Sequence, residues 1–303
     1  MKKLILVDGN AIIHRSFHAL PPFKTSQGEL VNAVYGFASV LLNLLNNQKP
    51  DYIAVAFDLK GPTFRHEEYK EYKATRVKAP DELYAQIPRI KELVKAFHIP
   101  IFEQQGFEAD DIIGTLSTQA EGKNVTSYIV TGDLDTLQLV TEKTKVLALL
   151  GKFSEPLIYD IAKVMGRFGL TPSQITDMKG LQGDSSDNIK GVLGIGQKTT
   201  KDLLQKYGSI ENIYKNLPDI KESIRKKLEA DKESAFQSKR LATIVRDMDL
   251  QLDLEACATH EYDEDTLRQI FQDLEFTSLL KRLDQFHKHE SLKKASASQS
   301  TLF

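Results

Sequence analysis

The sequence predicts an α/β fold built on a parallel sheet and followed by a second, mainly helical region. Longer segments with apolar residues at helical spacing lie between short apolar runs at residues 4–7, 52–57, 99–102, 127–130 and 145–150. Strands that alternate with helices form parallel sheets covered on both faces. From about Thr171 the strand pattern fades and helical patterns dominate. We therefore predict a core over residues 1–170 and a helical region over 171–287.

The composition is that of an ordinary globular protein. The 303 residues carry 40 Lys and Arg against 42 Asp and Glu, a formal charge of −2, so a nucleic-acid partner would have to meet a local basic patch. The single cysteine, Cys257, excludes an internal disulfide and every multi-cysteine metal site. No apolar run reaches the roughly 18 residues of a membrane span, which predicts a cytoplasmic protein without a membrane partner.

Acidic residues follow the predicted strands at the points where the strands end. With a GDSSDN stretch in the helical region, they make a set of nine: Asp8, Asp58, Glu108, Asp110, Asp111, Asp133, Asp135, Asp184 and Asp187. Taken singly, each is better explained as a solvated turn residue or a helix N-terminal acid. Because ligands of open parallel sheets bind beyond the carboxyl ends of the strands, we expect the acids to gather there.

Gathered carboxylates repel one another and therefore need cations. A site of carboxylates without cysteine or a histidine cluster suits hard ions, Mg²⁺ or Mn²⁺. Two such ions generate a nucleophile from water and stabilise both the attacking and the leaving oxygen of a phosphodiester. The acids therefore predict a two-metal nuclease.

Six motifs resemble, in order and spacing, the 5′ nuclease domain of bacterial DNA polymerase I, part of the flap endonuclease family. They cover roughly residues 1–287 and read LVDGN, FDLKGPTFR, EYKATR, GFEADD, TGDLDTLQLV and LQGDSSDNIKGVLGIGQKT. The resemblance implies a PIN-like core, a helical arch around residues 60–82, and a helix–turn–helix variant that grips duplex DNA. The chain departs from many relatives at Leu134, where they carry Lys or Arg, and we interpret this as a change in local charge.

The resemblance also divides the nine acids between metal ions. The first metal ion would be bound by Asp8, Glu108, Asp110, Asp111 and Asp133. The second-metal side would consist of Asp135, Asp184 and Asp187. Asp58 would lie in the same pocket.

Residues 60–78 carry six Lys and Arg against three Glu. A charge run is usually a solvated helix face. By the resemblance, however, Lys73 and Arg76 share a helical face and approach the scissile phosphate, where cations would neutralise transition-state charge. Arg15 and Arg65 are further phosphate contacts by the same resemblance.

The stretch GVLGIGQKTTKDLL, residues 191–204, places a glycine turn before a helix whose free amides favour an anion. A plain connection between helices is the alternative. By the resemblance, this hairpin holds the duplex backbone, with a bound K⁺ ion, through Gly194, Gly196, Lys198 and Thr199. Such contacts position DNA without reading bases.

The resemblance implies a monomeric 5′-3′ exonuclease and flap endonuclease that acts at the nucleoid in primer removal and repair. Its expected substrates are DNA with 5′ flaps, nicks or RNA–DNA junctions, and its products carry 5′-phosphate and 3′-hydroxyl ends. Two alternatives stay open: a catalytically weak DNA-junction binding module and a PIN-type ribonuclease.

Residues 288–303 are polar and small until the last two, which predicts a disordered tail. The chain ends in QSTLF, which resembles the bacterial clamp-binding pentapeptide. On that interpretation Gln299, Leu302 and Phe303 dock to the replication sliding clamp and the chain is a free-standing nuclease. The alternative is a disordered tail that simply stops at two apolar residues.

Overall fold

One six-stranded sheet organises the structure, a computed structural model that describes residues 2–149, 156–259 and 262–284. Its order is β3-β2-β1-β4-β5-β6, with β1 (Lys3–Asp8), β2 (Tyr52–Ala56), β3 (Ile101–Phe102), β4 (Thr126–Thr131), β5 (Thr144–Ala148) and β6 (Leu157–Tyr159). All neighbours are parallel except β5 and β6. The predicted α/β fold is confirmed, and β6 is an edge strand that the sequence pattern missed.

The helices follow the predicted alternation. In the described parts of the chain they are α1 (Gly9–Ala19), α2 (Asn32–Asn43), α3 (Phe64–Glu68), α4 (Asp81–Tyr84), α5 (Ile87–Ala96), α6 (Ala109–Gly122), α7 (Ile161–Phe168), α8 (Ile175–Gln182), α9 (Gln197–Tyr207), α10 (Ile210–Lys215), α11 (Glu222–Ala230), α12 (Lys232–Ala242) and α13 (Glu264–Asp273). Short segments of 3₁₀ or π helix lie at Leu44–Gln48, Leu134–Leu139, Pro172–Gln174 and Leu217–Asp219. Within these ranges no helix is both long and apolar enough to cross a bilayer.

Both faces of the sheet are covered because the central strands carry apolar side chains on both faces. Successive side chains of a strand point to opposite faces. Ile5 and Val7 of β1 therefore pack with α1, α2, α5 and α13, whereas Leu4 and Leu6 pack with α6 and the helices that follow the sheet. This burial fixes the strand register, and with it the place where each strand delivers its terminal acid.

The arch, residues 60–82, consists of the short helix α3 and a series of turns instead of one continuous helix. Lys73 has a positive φ of 56°, and its amide donates to the carbonyl of Asp187 at 2.9 Å, not to a carbonyl one helical turn earlier. The expectation that Lys73 and Arg76 share a helical face is therefore wrong. Their side chains nevertheless reach the same group of acids.

A tight hairpin returns the chain from α8 toward the sheet. Gly183 and Gly191 have φ of 76° and 67°, and a Cβ on Gly191 would lie 2.2 Å from the amide nitrogen of Gly183. Between them, Asp184 and Ile189 pair through two backbone hydrogen bonds of 2.8 Å. These glycines permit the close approach that directs Asp184 and Asp187 back toward the sheet.

Candidate metal centre

Asp8 ends β1 and caps α1. Its carboxylate accepts hydrogen bonds from the Ala11 amide at 2.9 Å and the Thr131 hydroxyl at 2.7 Å. Burial raises the pKa of Asp8 to about 7, and the charges of Asp58 and Asp133 add to this rise. A raised pKa means that the charged form of the carboxylate is disfavoured, and a bound cation would stabilise that charged form.

The acids that follow β2 and β3 meet at the first turn of α6. Asp58 accepts the Ala109 amide at 2.6 Å, and Glu108 is the N-cap residue of α6. Oδ1 of Asp110 is buried and has no hydrogen-bond partner among the described residues. Burial, followed by the charges of Asp111 and Glu108, raises the pKa of Asp110 well above its usual range. A buried carboxylate oxygen without a donor fits a metal ligand.

Asp111 is engaged elsewhere. Both of its oxygens accept from the Arg65 guanidinium at 2.7 Å, Oδ1 also accepts from the Val245 amide, and Oδ2 from the Glu108 amide. A carboxylate has about four acceptor sites, and these four bonds occupy them. These contacts show that Asp111 neutralises a buried arginine, and its expected role as a metal ligand stays a prediction.

The same ion pair holds Arg65 inside the protein, and its expected phosphate contact stays a prediction. Its side chain is 1% exposed and its Nε donates to the Leu241 carbonyl at 2.9 Å, so it joins the arch to the helical region from inside. Arg15 is half-buried and donates from Nε to the Leu149 carbonyl at 3.1 Å. Its role at a phosphate stays a prediction.

Three acids converge on the second-metal side. Asp135, Asp184 and Asp187 each offer one oxygen, and the three oxygens lie within 4.8 Å of one another. Burial and the charge of Asp133 raise the pKa of Asp135 to about 6. Burial acts in the same direction on Asp184, but the Lys179 ammonium outweighs it and lowers the pKa of that carboxyl. Three converging carboxylates suit a hard divalent cation.

Cations from the arch face both groups of acids. Lys73 Nζ lies 2.7 Å from Glu108 Oε1, and Arg76 Nη2 lies 2.5 Å from Asp187 Oδ1. The Tyr72 hydroxyl lies 3.2 Å from Glu108 and from Asp187. The arch thus closes over the acids and places two cations where a phosphate between the two groups would need them.

Sequence reasoning missed two residues of this site, Tyr72 and Lys179. Lys179 contacts both Asp135 and Asp184 from α8. The available signal was a lysine within a helical segment that is otherwise buried, four residues before GDSSDN. Leu134, interpreted above as a change in charge, packs against the core beside its two flanking acids.

The hairpin before α9 is exposed. Gly196 is the N-cap residue of α9 and offers no side-chain cap, Lys198 is exposed, and Thr199 is half-buried. Gly194 has a φ of 75°. The first amides of α9 are thus left for an external acceptor, as at other helix N-termini.

Two family models match the chain in succession. The first, described as the 5′-3′ exonuclease N-terminal resolvase-like domain, covers residues 3–169. The second, described as the 5′-3′ exonuclease C-terminal SAM fold, covers residues 170–265.

Curated relatives include DNA polymerase I of Caldicellulosiruptor bescii, 48% identical over 93% of this chain and 33% of that protein. DNA polymerase I of Bacillus subtilis is 43% identical over 93% of this chain and 32% of that protein. The chain therefore spans about a third of the length of the curated relatives it matches.

Solved structures share the fold at lower identity. A T5 5′-exonuclease with bound divalent zinc ions superposes with a TM-score of 0.68 at 22% identity, covering 90% of this chain and 98% of that one. The catalytic core of Rad2 in complex with DNA substrate gives a TM-score of 0.59 at 18% identity, covering 90% and 88%.

Proposed function

The chain belongs to the 5′-3′ exonuclease family, as its motifs predicted, and on this basis we propose that it is a divalent-metal-dependent 5′-3′ exodeoxyribonuclease and flap endonuclease. The observation that carries the proposal is the meeting of carboxylates from the core and the helical region. It includes the unpartnered oxygen of Asp110 and the converging oxygens of Asp135, Asp184 and Asp187.

The donor set supports Mg²⁺ or Mn²⁺. On the first-metal side we retain four acids, Asp8, Glu108, Asp110 and Asp133, with Asp58 beside them. When bound, two divalent ions supply an activated water and stabilise the attacking and leaving oxygens.

The arch cations act on the phosphate. In the metal-free protein Lys73 and Arg76 neutralise Glu108 and Asp187. When these acids are engaged by cations, both side chains are released to the phosphodiester oxygens, where they stabilise the charge that develops in the transition state. The Tyr72 hydroxyl, which lies within hydrogen-bond distance of both acids and donates to one of them, keeps the arch over them.

The hairpin and α9 hold the duplex. The free amides at the N-terminus of α9, with Lys198 and Thr199, contact a phosphate, and the conformation of Gly194 lets the backbone approach. Such contacts carry no sequence code, so specificity is for structure: a 5′ flap, a nick or an RNA–DNA junction. We further propose that the enzyme acts as a monomer at the nucleoid, in the cytoplasm, in primer removal and repair.

The potassium ion expected at this hairpin would compete with Lys227 for a backbone carbonyl. A monovalent ion would need backbone carbonyls, and the Gly194 carbonyl accepts a hydrogen bond from Lys227 Nζ at 2.9 Å while the Gly191 carbonyl accepts from Ser234 Oγ at 2.6 Å. Because Lys227 already supplies positive charge there, we expect equal duplex affinity in potassium and sodium salts. A specific potassium requirement would instead support an ion at the hairpin.

A 5′-labelled flap duplex tests the function. With Mg²⁺, cleavage at the junction is expected, leaving a 5′-phosphate on the duplex, and EDTA should abolish it. Asp110→Asn should abolish cleavage as well, whereas Asp265→Asn, at the equivalent second position of α13, should not. Binding without cleavage would support the junction-binding module, and a preference for single-stranded RNA would support the ribonuclease.

The clamp-binding prediction concerns residues 299–303, which lie outside the described residues. We propose that the pentapeptide places Leu302 and Phe303 in an apolar pocket of the clamp while Gln299 fixes the register. Tethering would make such weak binding effective. A peptide of residues 292–303 should bind purified clamp, and changing Leu302 and Phe303 to Ala should abolish binding. Equal binding by the two peptides would contradict the proposed docking of Leu302 and Phe303 to the clamp.

A further inference from the structure

Lys179 lies between two acids of the second-metal side, and the proposed function gives it no role. The residue is 8% exposed on α8. Its Nζ lies 2.5 Å from Asp184 Oδ2 and also contacts Asp135 Oδ2. Asp135 comes from the 3₁₀ turn after β4, whereas Asp184 follows α8. One ammonium thus joins carboxylates from the core and from the helical region.

The helix that carries Lys179 is fixed by its packing. A Cβ on the neighbouring Gly180 would lie 2.5 Å from Ile210 Cδ1, so α8 and α10 are in close contact. On the same helix, Asp177 accepts a hydrogen bond from the Ile210 amide at 3.0 Å. The backbone of Lys179 is therefore held in place, and only its side chain can move away from the acids.

The ammonium occupies the position that a divalent ion would share. Asp135, Asp184 and Asp187 offer three oxygens within 4.8 Å, and Lys179 contacts the first two of these acids. An ion bound to those two carboxylates would be a like charge at contact distance from the ammonium. Lys179 and the ion therefore compete for the negative charge of this pair.

Resting on the proposed metal-dependent function, we propose that Lys179 is a positioning residue that competes with the second divalent ion. In the metal-free protein its ammonium holds Asp135 and Asp184 together against their mutual repulsion, and the ion must displace it. This arrangement keeps the two ligands in place before the ion arrives, and it weakens the affinity of the second ion.

Lys179→Met tests the competition, because it removes the charge and keeps most of the side-chain length. Calorimetric titration of the full chain with Mn²⁺, without DNA, should find two ions in the wild type. We expect the variant to bind the weaker ion about tenfold more tightly, equivalent to about 1.4 kcal/mol. In EDTA the variant should have a lower Tm than the wild type, and saturating Mn²⁺ should reduce the difference. Lys179→Arg keeps the charge and should leave the affinity within about threefold.

Lys239→Met is the matched control, since Lys239 also bridges two carboxylates, those of Asp177 and Glu211, away from the metal centre. It should lower the Tm with and without Mn²⁺ and leave Mn²⁺ affinity unchanged. Unchanged or weaker Mn²⁺ binding by Lys179→Met would overturn the inference and leave Lys179 a structural ion pair. A wild-type chain that binds no Mn²⁺ would instead overturn the proposed function and, with it, the inference.

A measurement on the wild type covers the case in which Lys179→Met does not fold. The side-chain ammonium resonance of Lys179, assigned with Lys179→Arg, should shift or vanish when Mg²⁺ saturates the protein. An ammonium resonance unaffected by saturating Mg²⁺ would also overturn the inference.

Discussion

Asp110 and Asp111 are adjacent, chemically identical, and expected to respond in opposite ways to the same substitution. In Asp111→Asn, Arg65 stays buried and loses its charged partner, and the remaining carboxylate, Glu108, lies 3.5 Å from its Nη1. The amide also places a donor where Asp111 now accepts from Arg65 or from a backbone amide. Breaking a buried ion pair by removing one partner costs about 3–5 kcal/mol. Because Glu108 remains near, we expect a loss of about 3 kcal/mol in the free energy of unfolding.

A loss of that size corresponds to a fall in Tm of roughly 6–12 °C, at about 2–4 °C per kcal/mol for larger domains. Urea-induced unfolding in EDTA at pH 8 measures the loss in the free energy of unfolding, and thermal unfolding under the same conditions measures the fall in Tm. In the same assay Asp110→Asn should be neutral or stabilising, because it removes a buried carboxylate whose charge is repelled by its neighbours. Replacing both partners of the ion pair, Arg65→Met with Asp111→Leu, should regain part of the loss, since an apolar pair of similar volume leaves no buried charge.

We also expect the variants of Asp110 and Asp111 to differ in their affinity for Mn²⁺. Asp110→Asn should weaken Mn²⁺ binding by at least about tenfold, whereas Asp111→Asn, measured below its Tm, should bind Mn²⁺ like the wild type. Equal stability of Asp111→Asn and the wild type in EDTA would refute the assignment of Asp111 to Arg65. So would a tenfold loss of Mn²⁺ affinity in folded Asp111→Asn.

Three further outcomes are expected. Lys73→Ala and Arg76→Ala should each lower the single-turnover cleavage rate by about 10- to 100-fold and leave duplex affinity within about threefold of the wild type. Lys198→Ala should instead weaken duplex binding and reduce the slope of log affinity against log salt concentration by about 1. Equal effects on rate and affinity from all three variants would contradict the separation of catalytic from duplex-binding residues. Because burial raises the folded-state pKa of Asp8 from 3.8 to about 7, the folded metal-free protein keeps a proton that the unfolded chain has released between those values. The contribution of Asp8 to the free energy of unfolding therefore falls as pH rises from about 4 to about 7, and thermal unfolding in EDTA should show an Asp8-dependent decline that is missing in Asp8→Asn. Gly191→Ala should lower the free energy of unfolding by at least about 2 kcal/mol in urea titrations, because an L-residue at that φ is strained and its Cβ would meet the backbone; an unchanged midpoint would show that the hairpin opens without cost.

The sequence by itself determined the sheet and the end of it at which function lies. Short apolar runs and their alternation with helices predicted five strands, because both patterns are local consequences of covering a parallel sheet on two faces. The rule that strand ends gather ligands then predicted where Asp8, Asp58 and Asp133 would meet. β6 was missed because a three-residue edge strand leaves little periodicity to detect.

Only the tertiary structure decided what each charged side chain does at that edge. Asp110 and Asp111 differ by one helical step, which leaves a buried oxygen of one without a described hydrogen-bond partner and turns the other toward Arg65, 46 residues earlier in the chain. Lys179 reaches Asp135 across the two regions, and Lys73 leaves the helical path because its amide bonds to the Asp187 carbonyl. A local pattern carries no information on such distant partners. In a buried site the partner decides whether a carboxylate is free for a metal ion or is used to neutralise a cation.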